Sequence, residues 1–440
     1  MMLPLDPVQP NADLPAQVEV VIVGGGIIGT ATALCLAESG VSVLLCEKGI
    51  IGGEQSGRNL GWCRTLGRDL RELPLMIESL RLWSETPRRL NEDVGFRRNG
   101  IVHLCGYEAD LARLSAWVDA ARDMGAEAEI LSPEGVAKLL PGAARTWVGA
   151  VYAPQDGGAE PQKGAPAFAR AAQRAGAVIS TNNAIRAIER TAGRVSGVVA
   201  ERKTIRCQTV VIAGGIWSSQ FLGSLGVRFP QLSVTASLLK TKPFDAEPVQ
   251  SMTGTGFTTR KRLDGGYNVT QYGGEVHHIT PSSLRFLRDF SAIAKSESRV
   301  KLKVSGASVA RTAWARSWGP DEVSPFERDR MRDPKADADA LNVGLKAFRA
   351  AFPAFNDTQV DEMWAGDIDV TPDALPVISP VDGIDGLFLS SGFSGHGFGI
   401  GPGAGRLTAD MVMNRAGALE LSPYRLNRFA GGAVRPGPAL

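Results

Sequence analysis

The feature that most constrains this chain is a glycine-rich stretch near its start, GGGIIG, which follows the apolar run VVIV and precedes TATALCLA. That order predicts a strand, a tight turn and a helix, the arrangement in which N–H groups at the helix start bind a pyrophosphate. Within it, Gly24 permits the turn, Gly26 lets the backbone approach the ligand, and Gly29 lets the helix pack close to the strand. A glycine-rich turn alone is not specific, but these flanking elements predict a nucleotide site.

A carboxylate follows at the expected distance. Glu47 closes a second apolar run, VSVLLC, 18 residues after Gly29. There it can accept hydrogen bonds from both hydroxyls of a ribose, and it disfavours a 2′-phosphate. The pattern therefore predicts an adenine dinucleotide other than NADP, and it leaves NAD and FAD both open.

Composition narrows the class of protein. The 440 residues exceed what one hydrophobic core usually serves, so we expect two domains. Lys and Arg total 48 against 46 for Asp and Glu, without a long block of one sign, which disfavours nucleic acid and anionic membranes as partners. No apolar stretch reaches the roughly 18 residues of a spanning helix, and the start of the chain does not resemble a signal peptide. We therefore expect a cytoplasmic protein without a transmembrane segment.

The cysteines indicate a reducing compartment. All five of them are scattered singly, without CxxC pairs. This spacing disfavours both a disulfide framework and a zinc site, and we expect no bound metal.

Hydrophobic periodicity predicts an α/β protein that also contains an antiparallel sheet. The predicted elements are helices over 73–90 and 108–125, a helix and strand over 166–179, strands over 100–104, 195–199, 209–217 and 386–390, short antiparallel strands from about 227 to 317, a helix ended by Pro353, and a helix over 404–413. A nucleotide domain interrupted by a sheet-rich domain accounts for this order.

Several motifs together give a family resemblance. They are the stretch from Val21 to Glu47, the run GEQSGRNLG at 53–61, WAG at 364–366, TPD at 371–373 with Pro376, the glycine-rich stretch 392–403, and, more weakly, VIAGGIW at 211–217. These segments resemble the D-amino-acid oxidase superfamily of flavoproteins, in the branch of D-amino-acid dehydrogenases, sarcosine oxidases and bacterial L-amino acid deaminases. The segment from Ser324 to Phe355 looks especially like the deaminases. Trp62 departs from them, since they tend to carry a polar residue there, which leaves substrate range and stereochemistry open.

The resemblance implies a Rossmann-like, glutathione-reductase-like FAD-binding domain with an inserted, sheet-rich substrate domain. The implied pieces are 17–78, 155–228 and 358–422 for the FAD-binding domain, and 79–154 and 229–357 for the substrate domain.

The resemblance also implies bound FAD. Ser56, Arg58 and Asn59 would donate hydrogen bonds to it, and the loop from Gly392 would aim N–H groups at the N1–C2=O side of the flavin ring. Because no cysteine follows Cys207, we expect noncovalent FAD, with Cys63 as the one thiol near the ring. The residues assigned to the cofactor are Gly24, Gly26, Ile27, Ile28, Glu47, Lys48, Gln55, Ser56, Arg58, Asn59, Gly61, Trp62, Ile185, Ala213, Gly214, Trp217, Gly366, Gly392, Ser394, Gly395, His396 and Gly397.

The implied reaction removes a hydride from the carbon that bears an amine and delivers it to flavin N5, leaving an imine that hydrolyses to a keto acid and ammonia or amine. Arg64 is the first candidate for a carboxylate clamp, since its fork suits that group; a surface or pyrophosphate-side arginine is the alternative. The other candidates for substrate contact are Gln271, Tyr272, Trp364 and His396, with Arg311 and His277 behind them. Each has a structural alternative, namely strand packing for Tyr272, core packing for Trp364 and orientation of the loop for His396.

Three other functions remain as alternatives. The chain could oxidise a secondary amine such as sarcosine or a cyclic amino acid, or it could be the flavin-carrying subunit of a hetero-oligomer. A nicotinamide-dependent dehydrogenase is the third, and the C-terminal glycine loop argues against it. The expected electron acceptor is oxygen or a quinone.

Overall fold

The computed structural model describes residues 4–296, 300–304, 318–417, 419–431 and 434. Its strands are β1 Val20–Val23, β2 Val43–Cys46, β3 Trp62–Cys63, β4 Ile101–Cys105, β5 Glu129–Leu131, β6 Gly149–Ala153, β7 Gly157–Gly158, β8 Val178–Ser180, β9 Ile185–Thr191, β10 Arg194–Ala200, β11 Thr204–Arg206, β12 Thr209–Ile212, β13 Leu232–Thr241, β14 Ser251–Gly254, β15 Phe257–Lys261, β16 Tyr267–Thr270, β17 Val276–His278, β18 Lys301–Lys303, β19 Val360–Val370, β20 Val377–Pro380 and β21 Leu387–Ser391.

The helices connect and cover these strands. They are α1 Ile27–Glu38, α2 Gln55–Arg58, α3 Leu73–Leu90, α4 Glu108–Arg122, α5 Pro133–Leu139, α6 Pro161–Arg174, α7 Ser218–Ser224, α8 Pro281–Arg285, α9 Ser291–Ser296, α10 Pro325–Arg328, α11 Ala338–Ala351 and α12 Gly397–Val412. Short 3-10 helices occupy Gly215–Trp217, Pro353–Phe355, Ser422–Tyr424 and Leu426–Phe429.

The first layer of the fold is a mostly parallel sheet. Within the described ranges its six strands run in the order β20-β21-β12-β1-β2-β8, and all neighbours are parallel except β20 and β21. Its central strands are almost continuous runs of buried Val, Ile and Leu, as expected for a parallel sheet covered on both faces. Because β2 and β12 lie on opposite sides of β1, the strand order reverses at β1, which places a crevice at its carboxyl end.

A larger sheet forms the second layer. Among the described residues it has ten strands, in the order β18-β17-β13-β16-β15-β14-β4-β6-β5 with β19 paired to β13. Most neighbours are antiparallel, in agreement with the prediction for the described part of 227–317, from which 297–299 and 305–317 are excluded. The pairs β14–β4 and β17–β18 are parallel. The helix α11 covers one face, and its Phe348 packs against Phe257 and Phe355 in a common apolar core.

Two predicted domain boundaries do not coincide with breaks in the structure. The boundary between 78 and 79 falls inside α3, which is one continuous helix. The stretch 360–370 was predicted within the FAD-binding domain, but as β19 it pairs with β13 along almost its whole length. Pairing across such a sequence distance is not visible in local periodicity.

Some element boundaries also differ from prediction. The predicted strand 209–217 ends at Ile212 and gives way to a 3-10 helix, and α6 begins at Pro161 rather than near 166. The last helix begins at Gly397, inside the glycine-rich loop, rather than at 404. Glycine has low helix propensity, so the burial of this helix has to outweigh its composition.

Two chain-wide properties bear on the predictions. In the part of the chain that the structure describes, no helix combines the length and the apolar character needed to cross a bilayer. The five cysteines are unpaired and buried.

Candidate active site

A cavity opens at the carboxyl end of β1. The space between its walls is about 1280 Å³, which includes solvent at the open mouth. Segments far apart in sequence line it, including the turn before α1, the start of α2 and the loop before α12. The two glycine-rich loops singled out in the sequence therefore face one cavity.

The turn between β1 and α1 can only be built with glycine. Gly24 has φ of +113°, and a Cβ there would collide with the carbonyl oxygen of Ala213. A Cβ at Gly29 would collide with the carbonyl oxygen of Gly24, so this glycine allows α1 to lie close to the turn. Gly26 borders the cavity at the helix start, where the first N–H groups and the positive end of the helix dipole favour an anion.

Glu47 lies at the end of β2 and lines the cavity. Its Oε2 accepts from the N–H of Gly25 at 2.6 Å, and its Oε1 accepts from the N–H of Gly49 at 2.7 Å. Burial raises the pKa of this carboxyl, while the charge of Lys48 and the two N–H donors act in the opposite direction. The lone pairs that remain on the two oxygens can still accept ribose hydroxyls.

A segment from another part of the chain borders the same cavity. Residues 324–333, which we call the covering segment, place Phe326 and Met331 in the cavity wall. Ion pairs fix it, with Glu327 at 2.8 Å from Arg186 and Arg330 at 2.6 Å from Glu201. The likeness of this stretch to deaminases was visible in the sequence, but no periodicity or motif indicated that it would reach the nucleotide cavity.

Trp217 is enclosed by charged groups at this end of the cavity. The Nζ of Lys48 and the guanidinium of Arg332 each lie 4.4 Å from a ring centroid of Trp217. The indole N–H donates to Glu54 at 2.9 Å, and Lys48 also donates to Glu54 at 2.9 Å. Glu54 thus holds both Trp217 and Lys48 in this wall, although no sequence pattern singled it out.

The loop from Gln55 to Asn59 contacts the turn between β1 and α1 and also contributes residues to the cavity wall. The hydroxyl of Ser56 accepts from the N–H of Ile27 at 2.9 Å. Asn59 lines the cavity and is held by its own loop, donating to the carbonyl of Ser56 at 2.9 Å. Arg58 does not line the cavity, contrary to expectation; its buried guanidinium donates to Asp333 at 2.6 Å and to the carbonyl of Ala365 at 3.1 Å.

The loop before α12 reaches the cavity from the other side. Gly395 and Gly397 line it, and the helix that starts at Gly397 presents unpaired N–H groups there. Gly392 and Ser394 do not line it, because the N–H of Gly392 donates to buried Asp369 at 2.7 Å and the Ser394 hydroxyl accepts from Thr371 at 3.2 Å. These two residues shape the loop from behind.

The cavity wall contains polar atoms suited to a ligand. The buried Oε1 of Gln55 and Oγ of Ser218 both belong to residues that line the cavity, and neither atom has a hydrogen-bond partner among the described residues. A Cβ at Gly366 would collide with the same Gln55 oxygen, so the glycine leaves room for this amide. Together with the glycine turn and Glu47, these unpaired atoms fit the FAD that the resemblance implies.

The residues predicted for the cofactor divide into two sets. Those that line the cavity are Gly24, Gly26, Ile27, Ile28, Glu47, Lys48, Gln55, Ser56, Asn59, Ile185, Ala213, Gly214, Trp217, Gly395 and Gly397. Those outside its wall are Arg58, Gly61, Trp62, Gly366, Gly392, Ser394 and His396. Lining residues that sequence reasoning missed include Glu54, Ser218, Phe326, Met331, Asp367, Asp369, Phe393 and Phe398.

Among the predicted substrate residues, Arg64 interacts electrostatically with both Tyr272 and His396. His396 lies between Gly395 and Gly397, which line the cavity. Burial lowers the pKa of Arg64, and the nearby Asp156, Tyr272 and Glu72 partly restore it. Burial also lowers the pKa of His396, followed by the charge of Arg68.

Other candidates have structural roles in this fold. Trp364 is 3% exposed, packs against Leu238 and donates to the carbonyl of Arg58 at 2.9 Å. Both ring nitrogens of His277 are engaged, with the Ser233 carbonyl at 2.7 Å and the Ser283 hydroxyl at 2.9 Å. Arg311 lies outside the described residues.

Gln271 and Trp62 do not line the cavity. The buried Oε1 of Gln271 has no partner in the described ranges. Trp62 is only half-buried and donates to the carbonyl of Thr259 at 3.3 Å. Cys63, in contrast, is fully buried, and burial raises the pKa of its thiol, which makes it a poor nucleophile for attachment to a flavin.

Comparison with known proteins gives a family match over most of the chain. Residues 19–411 match the model of the DAO family, described as FAD dependent oxidoreductase. The chain is 27% identical over 430 residues to the sarcosine oxidase subunit beta of Arthrobacter sp, covering 96% of this chain and 93% of that one. It is 24% identical to the 4-methylaminobutanoate oxidase (formaldehyde-forming) of Paenarthrobacter nicotinovorans, of which it spans only 46%.

A solved structure gives a closer match. The L-amino acid deaminase from Proteus myxofaciens, solved in complex with anthranilate, superposes with a TM-score of 0.94 at 31% identity and covers 97% of both chains. These findings confirm the predicted fold class and the predicted superfamily.

Proposed function

This chain belongs to the FAD-dependent oxidoreductase family, and we propose that it oxidises an amino acid at the carbon that bears the amine. When bound, FAD supplies the acceptor for the hydride that leaves this carbon. The observation that carries the proposal is that His396, between two residues that line a cavity bordered by both glycine loops, interacts electrostatically with Arg64, as does Tyr272. The structural neighbour reported above, an L-amino acid deaminase, supports an L-amino acid as substrate.

The residues of this chain would bind and orient the substrate. The guanidinium of Arg64 donates to the carbonyl of Leu66 and has no described carboxylate within ion-pair distance, so it has capacity for a substrate carboxylate. Tyr272, whose ring meets that of His103 edge-on at 6.1 Å, lies within electrostatic range of Arg64 and would add a hydroxyl to the same wall. Fixing the carboxylate in this way orients the carbon that is oxidised.

A secondary amine is the second candidate substrate class. The relatives named sarcosine oxidase subunit beta and 4-methylaminobutanoate oxidase support it. The name of the first also supports the proposal that this chain is a flavin-carrying subunit of a hetero-oligomer. For the acceptor we propose oxygen or a quinone, and for the location the cytoplasm, in keeping with five unpaired, buried cysteines.

The test is anaerobic reduction of the purified, FAD-loaded chain. The panel comprises glycine, L- and D-alanine, L- and D-phenylalanine, sarcosine and L-proline. We expect an L-amino acid to bleach the oxidised flavin spectrum fastest and to release ammonia and a keto acid. Fastest bleaching by sarcosine or L-proline would establish the secondary-amine alternative, and bleaching by no compound would contradict both.

A further inference from the structure

Glu72 is a buried carboxylate without ordinary partners. It precedes α3, is 0% exposed, and neither of its oxygens accepts an aligned hydrogen bond from any described residue. Its Oε2 lies 3.0 Å from Nδ1 of His396. Among the described residues the imidazole of His396 is thus the one close donor group of a fully buried carboxylate. Because burying a carboxylate with so few donors is costly, this arrangement calls for an explanation beyond folding.

The neighbouring Arg68 is also incompletely paired. It is 3% exposed, its Nη1 has no partner among the described residues, and its Nε donates to the carbonyl of Arg64 at 3.3 Å. Burial, followed by the charge of Arg64, lowers the pKa of Arg68 to about 9. Three adjacent side chains, Arg68, Glu72 and His396, are therefore held in a polar cluster that their own contacts do not satisfy.

His396 connects this cluster to the cavity. It lies between Gly395 and Gly397, both of which line the cavity, and its side chain is 23% exposed, whereas that of Glu72 is fully buried. A carboxylate beside Nδ1 favours the tautomer with the proton on Nδ1. The lone pair is then on Nε2, which is available as a proton acceptor.

We infer that Glu72 is a positioning residue that orients His396, and that Nε2 of His396 accepts a proton from the substrate ammonium. This inference rests on the proposed function. In the step, one N–H bond of the ammonium breaks and an Nε2–H bond forms, so the substrate becomes a neutral amine and the imidazole becomes imidazolium. No electrons leave the substrate in this step, and the carboxylate of Glu72 stabilises the new charge through Nδ1–H.

The surrounding charges favour a neutral His396 imidazole, whose Nε2 carries no proton and can accept one. Burial, Arg68 and Arg64 lower the pKa of His396, and Glu72 raises it, with the net shift downward. The other groups that face the pair are Asp69 and Arg71 from the same loop, Tyr424 from the C-terminal 3-10 helix, and Asp156, which faces the two arginines. The hydroxyl of Tyr424 donates to the carbonyl of Arg71 at 2.8 Å, which fixes its place beside the cluster.

The first experiment measures the limiting anaerobic rate of flavin reduction against pH, using the fastest amino acid of the panel. Removing the carboxylate in Glu72→Gln lowers the pKa of His396, so we expect the acid limb to move to lower pH and the limiting rate to fall about tenfold. His396→Asn should lose about 10²-fold, the usual contribution of a general base. Glu78→Gln, in the helix α3 that Glu72 precedes, is the control; Glu78 pairs with Arg81 and Arg406, and this variant should match the wild type. A Glu72→Gln profile that superimposes on the wild type would overturn the inference.

A second measurement does not depend on turnover. The chain has only four histidines, so NMR of ¹³C-labelled histidine in the FAD-loaded protein can follow each imidazole, with His396→Asn assigning its signal. We expect a lower pKa for His396 in Glu72→Gln and partial recovery in Glu72→Asp, which keeps the charge. An unchanged pKa would refute the pairing. If no panel compound reduces the flavin, the proposed function fails while this measurement still decides the pairing.

Discussion

At the scale of single residues, Glu47 links the backbone of two turns to the cavity. It accepts from the N–H groups of Gly25 and Gly49, so its oxygens are fixed before any ligand arrives. Sequence reasoning located this residue because the distance from the glycine turn is set by the length of one helix and one strand. Arg58 shows the limit of such reasoning, since the sequence does not reveal that its guanidinium meets Asp333 and the carbonyl of Ala365.

Replacement of Glu47 by Ala is expected to weaken FAD retention about 10- to 10²-fold, because hydrogen bonds to charged groups contribute about 1.5–3 kcal/mol. The measurement is the Kd for FAD from flavin fluorescence on titration of the apoprotein. Glu38→Ala, at the exposed end of α1, is the matched control and should bind FAD normally. Equal affinities in both variants would remove Glu47 from the cofactor site.

Arg64 is the residue proposed to bind the substrate carboxylate. Arg64→Met should raise the apparent Kd for the amino acid in anaerobic flavin reduction by about 10- to 10²-fold, since a charge-assisted contact to the carboxylate is lost. Arg122→Met, on the exposed face of α4, controls for loss of a positive charge. An unchanged substrate Kd in Arg64→Met would show that the carboxylate binds elsewhere.

At the scale of elements, long-range pairing explains what periodicity could not predict. Local sequence predicted the apolar strands β1, β2 and β12 and the amphipathic helices α3 and α11. Each of these elements has a spacing of apolar residues that matches its own strand or helix period. The partner of β19 and the start of α12 at Gly397 depend on contacts with distant segments. The position of the covering segment 324–333 also depends on distant contacts, because its ion pairs join it to residues more than a hundred positions away.

The covering segment should slow the release of FAD. Arg330→Gln removes both the ion pair to Glu201 and the bond to the Lys48 carbonyl, so we expect FAD to dissociate a few-fold faster, in keeping with the modest energies of partly exposed ion pairs. Added salt should accelerate release less in the variant than in the wild type. Lys335→Gln, just beyond the segment and exposed, is the control for charge. Identical release rates in Arg330→Gln and wild type would contradict a role for the segment in retention.

At the scale of the whole molecule, the account depends on two sheets and several loops meeting at one cavity. The turn before α1 and the loop before α12 are more than 350 residues apart in sequence, yet Gly26 and Gly397 line the same space. The sequence predicted both loops from their glycines and predicted their convergence through a family resemblance. It did not predict that Glu54, Asp369 and Met331 line the cavity, because no local sequence pattern distinguishes these residues.

The most direct test of this account is an experimental structure of the FAD-loaded chain. The account predicts a ribose of the adenosine half on Glu47 and a flavin ring that contacts both the Gln55–Asn59 loop and the loop before Gly397. An FAD molecule whose ring touches only one of these loops, or which lies outside the cavity at the end of β1, would contradict it.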